Sequence, residues 1–333
     1  MTLETAAPVV GPQALADGLP SRRMAIAAAL GGLAVAAAGL PNSAKAQRPK
    51  PLRLLAAQRQ WTPPPVQAPA REGLAELPNA KLWYWDTGGR GDPLILMHPA
   101  TGSSAIWSYQ QPVFAKAGFR VIAYSRRGFG RSEPGPRPED TGSAADDLLA
   151  LMNLLGVERT HLLGSAAGGF IVPDFALSHP ERLLSMIVAC SQGGGTEPAY
   201  RQRIREITPS PFATMPPSFR ELGPSYRAAN PAGVAAWEAL EHISRAGPRR
   251  VTQTPKNALT WANLAKIKTP ALIFTGAADL YMPPSLMLEY ASHVPNAETA
   301  IVSEAGHSAY WEQPDAFNRL VLDFLGRHRS RKG

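Results

Sequence analysis

The stretch HLLGSAAGGF, residues 161–170, decides how this chain is read. Its apolar start has the length of a buried strand, and its glycine-rich end opens the helical pattern GGFIVPDFALS. Gly164 and Gly168 are spaced as in G-x-S-x-G, where a strand bends sharply into a helix and presents a nucleophile at the bend. Such a bend needs small residues, because its central residue takes a strained backbone conformation. Gly164, Ala166, Gly168 and Gly169 meet that demand, but the central residue is Ala166 and the hydroxyl is missing.

Outward from this bend, strand and helix patterns alternate. KLWYWDTG is an amphipathic strand ending in a turn, and PLILMH is a continuous apolar run suited to a strand covered on both faces. SAIWSYQQPVFAKAG has helical spacing, RVIAYS is a strand, and TGSAADDLLALMNLLG is a helix with a Thr/Ser start and a Gly stop. RTHLLG and RLLSMIVAC are strands on either side of GGFIVPDFALS. The rhythm breaks over residues 192–262, which hold many prolines and several short helical patterns. It resumes with PALIFTG, a helix near 284–293, ETAIVS and a final helix PDAFNRLVLDFLGRH. Alternation of this kind predicts an α/β fold with a mostly parallel central sheet and helices on both faces. The core is expected over 80–191 and 263–333, with a helical lid at 192–262. Residues 47–79, rich in Pro, Gln and Ala, read as a linker or surface strap.

Composition narrows the classes. The chain has 333 residues, 44% of them hydrophobic, a formal charge of +8 and a pI near 9.8. No basic run interleaved with aromatics is present, so nucleic acid is not an expected partner. Between 195 and 256 there are nine basic residues against five acidic ones. Such an excess steers an anionic substrate or simply forms a solvated helix face. No His/Cys/carboxylate cluster has metal-ligand spacing and no glycine-rich loop suits a phosphate, so neither metal nor cofactor is expected. The single cysteine, Cys190, reads as a buried residue at a strand end.

Residues 1–46 read as a twin-arginine-type export signal. Arg22-Arg23 precedes an Ala/Gly-rich apolar run, and Ala44-Lys45-Ala46 has the small-x-small form of a cleavage site. The expectation is a periplasmic or secreted mature protein without a stable membrane span.

Four further stretches flank the bend in order: HPATG (98–102), YSRRGFGRS (124–132), FTGAADLYMP (274–283) and SEAGHSAYWEQP (303–314). Together with HLLGSAAGGF they resemble the lid-bearing α/β-hydrolases, which include esterases, lactonases, epoxide hydrolases and carbon–carbon bond hydrolases. The resemblance runs from about residue 80 to the C terminus. It implies a small-molecule substrate, His307 as base, Asp279 as its partner, and an oxyanion hole from the amides of Ala100 and Ala167. His98 is expected to be structural. Pro99 departs from the glycine usual in relatives, and Ser125 stands where many carry an acid. Trp107, Trp237, Trp261, Tyr281 and Trp311 are candidates for an apolar pocket wall or for the core.

Four readings of Ala166 follow. Without a nucleophile, His307 polarised by Asp279 activates water for an ester, lactone or other activated carbonyl substrate, or abstracts a substrate proton in a cofactor-free lyase or oxygenase reaction. Ser165, one residue early, replaces the missing serine if the loop changes shape. The chain is an engineered variant whose serine was exchanged for alanine. Or the site binds a ligand without chemistry. The presence of Asp279 and His307 favours the first.

Overall fold

The computed structural model describes residues 53–55, 60–78, 80–135, 141–208, 210–246 and 251–330. The export-signal segment lies outside the described residues.

The strands are β1 Arg53–Leu55, β2 Arg71–Leu77, β3 Ala80–Asp86, β4 Pro93–Met97, β5 Arg120–Tyr124, β6 Thr160–Ser165, β7 Leu183–Ala189, β8 Ala271–Gly276 and β9 Glu298–Val302. They form one sheet in the order β1-β9-β8-β7-β6-β4-β5-β3-β2. All pairings from β1 through β5 in that order are parallel, while β3 runs antiparallel to both β5 and β2. The mostly parallel α/β architecture is therefore present.

The core explains why PLILM and ALIFTG are apolar without alternation. Leu94 and Leu96 of β4 join one buried cluster, whereas Ile95 and Met97 join the cluster on the opposite face. Leu272 and Phe274 of β8 divide from Ala271 and Ile273 in the same way. Side chains alternate across a strand, so a strand covered on both faces must be apolar throughout.

Two local differences from the sequence reading have physical causes. The segment 104–118 is two pieces, a 3-10 helix Ser104–Tyr109 and an α-helix Gln111–Lys116. Trp107 has ψ of 23°, and Pro112 lacks the amide that would continue the ladder. The segment 47–79 is not all linker, because Arg71–Leu77 pairs with β3 along its whole length. The prolines just before it hid this edge strand. Residues 60–70 do run as a strap: Ala68 and the Gln111 side chain exchange two hydrogen bonds at 2.7 and 2.8 Å, and Trp61 N donates to Asn230 Oδ1 at 2.6 Å.

Between β7 and β8 the chain forms a helical insertion. Its helices Pro198–Ile207, Pro217–Glu221, Pro224–Ala229 and Pro231–Arg245 each carry proline in the first turn. Proline has no amide to leave unpaired there and its fixed φ suits the helix start.

Candidate active site

The bend after β6 has the backbone of a nucleophile elbow. Ala166 sits at φ +50°, in the left-handed region that a residue with a Cβ rarely occupies. Ala166 N donates to Ala189 O at 3.0 Å, and Ala166 O accepts from Gly169 N at 2.9 Å, which locks the strand end to the helix Gly168–Ser178. A Cβ at Gly164 would stand 2.3 Å from Gly168 O, and one at Gly168 would stand 2.4 Å from Met97 O. Both glycines are required by backbone approaching backbone. Gly168→Ala is expected to cost about 1–3 kcal/mol, as overpacking does. Urea unfolding checks this, and an unchanged midpoint would contradict the close approach.

Asp279 and His307 follow β8 and β9, two of the parallel strands, and they meet. His307 Nδ1 donates to Asp279 Oδ2 at 2.8 Å and lies 2.9 Å from Oδ1. The carboxylate also accepts from Tyr281 N at 2.8 Å, Met282 N at 2.9 Å and Thr275 Oγ1 at 2.9 Å. Burial favours the neutral acid, but the His307 charge and these donors outweigh it and hold Asp279 below its usual pKa. Burial likewise disfavours the imidazolium, yet Asp279, then Glu221 and Glu312, push His307 up to about 9.

These two further acids were not among the sequence candidates. Glu221 ends an insertion helix and is 5% exposed; Ser308, next to His307, donates to it through Oγ at 3.3 Å. Burial raises its pKa, partly opposed by the His307 charge. Glu312 accepts from the amides of Gly306 at 2.9 Å and Gly223 at 2.7 Å, tying the histidine loop to the insertion. Burial pushes its carboxyl up to about 8 against those amides.

His307, Ala166, Ala100 and Ala167 line one cavity of about 370 Å³, with Phe170, Tyr281 and the insertion residues Arg220, Glu221 and Arg245. The histidine and the bend thus face the same space. Ser165 does not line it. Its Oγ is sealed from solvent and has no hydrogen-bond partner among the described residues. The expectation that Ser165 could replace the missing serine is corrected on this geometry: successive strand side chains point to opposite faces, and Ser165 is the last residue of β6. Of the five aromatic candidates, Tyr281 alone lines this cavity, its ring 4.4 Å from that of His307. Trp107, Trp237 and Trp311 are core residues, and Trp261 stacks on His293 at 4.1 Å. Cys190 is buried, and burial raises its thiol pKa.

Residues 92–314 match the α/β-hydrolase fold family. The chain belongs to it. It is 31% identical over 288 residues to a 2-hydroxy-6-oxononadienedioate/2-hydroxy-6-oxononatrienedioate hydrolase of Paraburkholderia phymatum, spanning 77% of this chain and 93% of that one. A thermophilic esterase from Thermogutta terrifontis has the same fold, with a TM-score of 0.61, 23% identity, and coverage of 79% of this chain and all of the other. Est816, an N-acyl homoserine lactone degrading enzyme, superposes with a TM-score of 0.59 at 25% identity, covering 76% of this chain and 100% of its own.

In this α/β hydrolase the loop after β4 is braced from behind. His98 Nδ1 donates to Pro99 O at 2.7 Å, and His98 Nε2 accepts from Arg126 N at 2.9 Å. Burial, helped by the Arg126 charge, lowers the His98 pKa well below its usual value, so the ring is neutral and structural. Pro99 O also accepts from Gly102 N at 3.3 Å and Arg126 Nη2 at 3.2 Å, which holds Ala100 at the cavity wall. Among the described residues no group of three or more His, Cys, Asp or Glu could hold a metal, and no helix is long and apolar enough to cross a membrane.

Proposed function

We propose that this α/β hydrolase cleaves an ester, a lactone or a related activated carbonyl compound by a route without a covalent acyl-enzyme. The observation that carries this reading is the His307–Asp279 pair facing the Ala166 bend across one cavity. Asp279 holds the Nδ1–H tautomer, which leaves Nε2 as the base. His307 Nε2 takes a proton from water, and the water oxygen bonds to the carbonyl carbon. The amides of Ala100 and Ala167 hold the resulting oxyanion. Collapse breaks the bond to the leaving group, which receives the proton from His307. Glu221, when ionised, makes His307 a stronger base than Asp279 alone would, present in smaller amount at neutral pH. Arg220 adds positive charge to the wall and favours an anionic substrate, whereas Arg245 is paired with Glu241 at 2.6 Å. The helical insertion acts as the lid. The activities for which two relatives are named, on a dioate and on a lactone, support this class of carbonyl substrates.

The test is turnover of a panel of activated esters and lactones by the parent and by His307→Ala. The variant is expected to lose about 10²–10⁴-fold in kcat/KM, the usual contribution of a general base. Equal rates, or no turnover by either alongside retained ligand binding, would remove the reading. The sequence of residues 22–46 further supports folded export to the periplasm or medium. Lysine at positions 22 and 23 should keep the protein cytoplasmic in a host with twin-arginine transport; unchanged export would refute that route.

A further inference from the structure

A second cavity, of about 660 Å³, adjoins the first and shares Ala100, Ala167 and Phe170 with it. Its walls are apolar around Phe129, Ala144, Ile171 and Val251. Its polar groups are Arg126, Asp174, Thr252, Gln253 and Thr254. Arg126 follows β5 and stands outside the His307–Asp279 pair.

The Arg126 guanidinium is fixed in place. Its Cζ lies 4.8 Å from the Phe129 ring centroid, and Nη2 donates to Pro99 O at 3.2 Å. Its Nε is sealed from solvent and has no acceptor among the described residues, and no carboxylate there forms an ion pair with it. The adjacent Arg127, by contrast, is paired with Asp147 at 2.6 Å. Burial, slightly offset by Tyr124, lowers the Arg126 pKa to about 10. A partly buried cation with an idle donor and no paired carboxylate among the described residues gains from an anion that meets it. The other charged group in this wall, Asp174, does not serve that purpose. Its two oxygens accept from Lys256 N, Asn257 N and Asn257 Nδ2 at 2.8–3.0 Å, so it is already satisfied.

We infer that this second cavity is a subsite for a carboxylate carried on an apolar substituent, with Arg126 as the group that recognises it. Planar carboxylate suits the free edge of a stacked guanidinium, and the surrounding walls suit the carbon chain behind it. Because the two cavities meet at Ala100 and Ala167, a ligand anchored here reaches the proposed oxyanion donors. In that respect the inference rests on the hydrolytic reading, but the binding itself does not require turnover.

Calorimetric titration tests it with 4-phenylbutyrate and its neutral isostere, 4-phenylbutanamide. The parent is expected to bind the acid about tenfold or more tightly than the amide, as a charge-assisted bond implies. Arg126→Gln should remove that preference. Val251→Trp, which fills the cavity without touching the Arg126–Pro99 bond, should weaken the acid by a similar factor. Equal affinity for acid and amide in the parent, or no binding of either, would overturn the inference. So would a preference that survives both substitutions, or one abolished by Arg220→Gln but not by Arg126→Gln. A protein that turns over no ester can still show the expected pattern, so failure of the subsite and failure of the hydrolytic reading are told apart.

Discussion

Ala166→Ser is expected to convert this protein into one that a fluorophosphonate labels covalently and that hydrolyses p-nitrophenyl acetate on the order of 10²-fold faster than the parent. The backbone is ready for it. Ala166 already occupies φ +50°, held by the hydrogen bonds from Ala166 N and to Ala166 O, so serine inherits a strain the fold has met. The Ala166 side chain lines the cavity that His307 lines, which places the new hydroxyl in the same space as the base. Loss of the serine from serine triads costs several powers of ten, so even a partly aligned hydroxyl regains a large factor. Under the water-activating route the parent turns over substrate and takes no label. A parent that is labelled, or an Ala166→Ser protein that is not, would contradict the geometry. Labelling of the parent lost on Ser165→Ala would restore the displaced serine that the buried position of Ser165 argues against.

Under the proposed route, in which neutral His307 is the base, the rate of the parent is expected to rise about tenfold per pH unit through neutrality and to level off near pH 9, since His307 is held up to about 9. At pH 7 only about 1% of the ring is then free to accept a proton, by the two-unit difference. Glu221→Gln removes one of the charges that favour the imidazolium, so the level region should begin at lower pH. Asp279→Asn should lower the midpoint further and cut the plateau by about 10³–10⁴-fold, as loss of the tautomer-fixing acid does in triads. A bell centred near pH 7, or a midpoint unmoved by Glu221→Gln, would show that these carboxylates do not govern the ring. The same shift links to stability. The folded state holds the His307 proton more tightly than the unfolded chain, so the contribution is complete below pH 6.5 and is lost as pH rises through about 9.

Much of the site was legible because its signals are local. Gly164 and Gly168 mark backbone contacts that no side chain could tolerate, and that need is written in one short stretch. His307 and Asp279 follow recognisable strands, and parallel strands deliver their C-terminal ends to one edge. Glu221, Arg220 and Phe170 left no such trace. Glu221 and Arg220 are ordinary charged residues of a proline-started insertion helix, and nothing in the spacing of PSFRE says which of them is buried. Phe170 looks like one more apolar residue in GGFIVPDFALS, yet it lines both cavities. The edge strand Arg71–Leu77 left little trace because, besides the prolines before it, one of its faces is solvent-exposed and its apolar residues are few.

The mostly parallel α/β plan, the small residues of the bend at 166 and the absent hydroxyl were legible in the amino-acid sequence, since each depends on periodicity or on residue type at one position, and the candidate acid and base were legible through the family resemblance. The tertiary structure alone decided how charged His307 is, where Ser165 points and that Arg126 has no carboxylate partner among the described residues. Those properties depend on burial and on neighbours brought in from distant segments, as when Glu221 of the insertion, far away in sequence, acts on the His307 ring more strongly than Glu312 of its own loop. Desolvation and charge proximity are features of the folded surface, and no linear pattern encodes them.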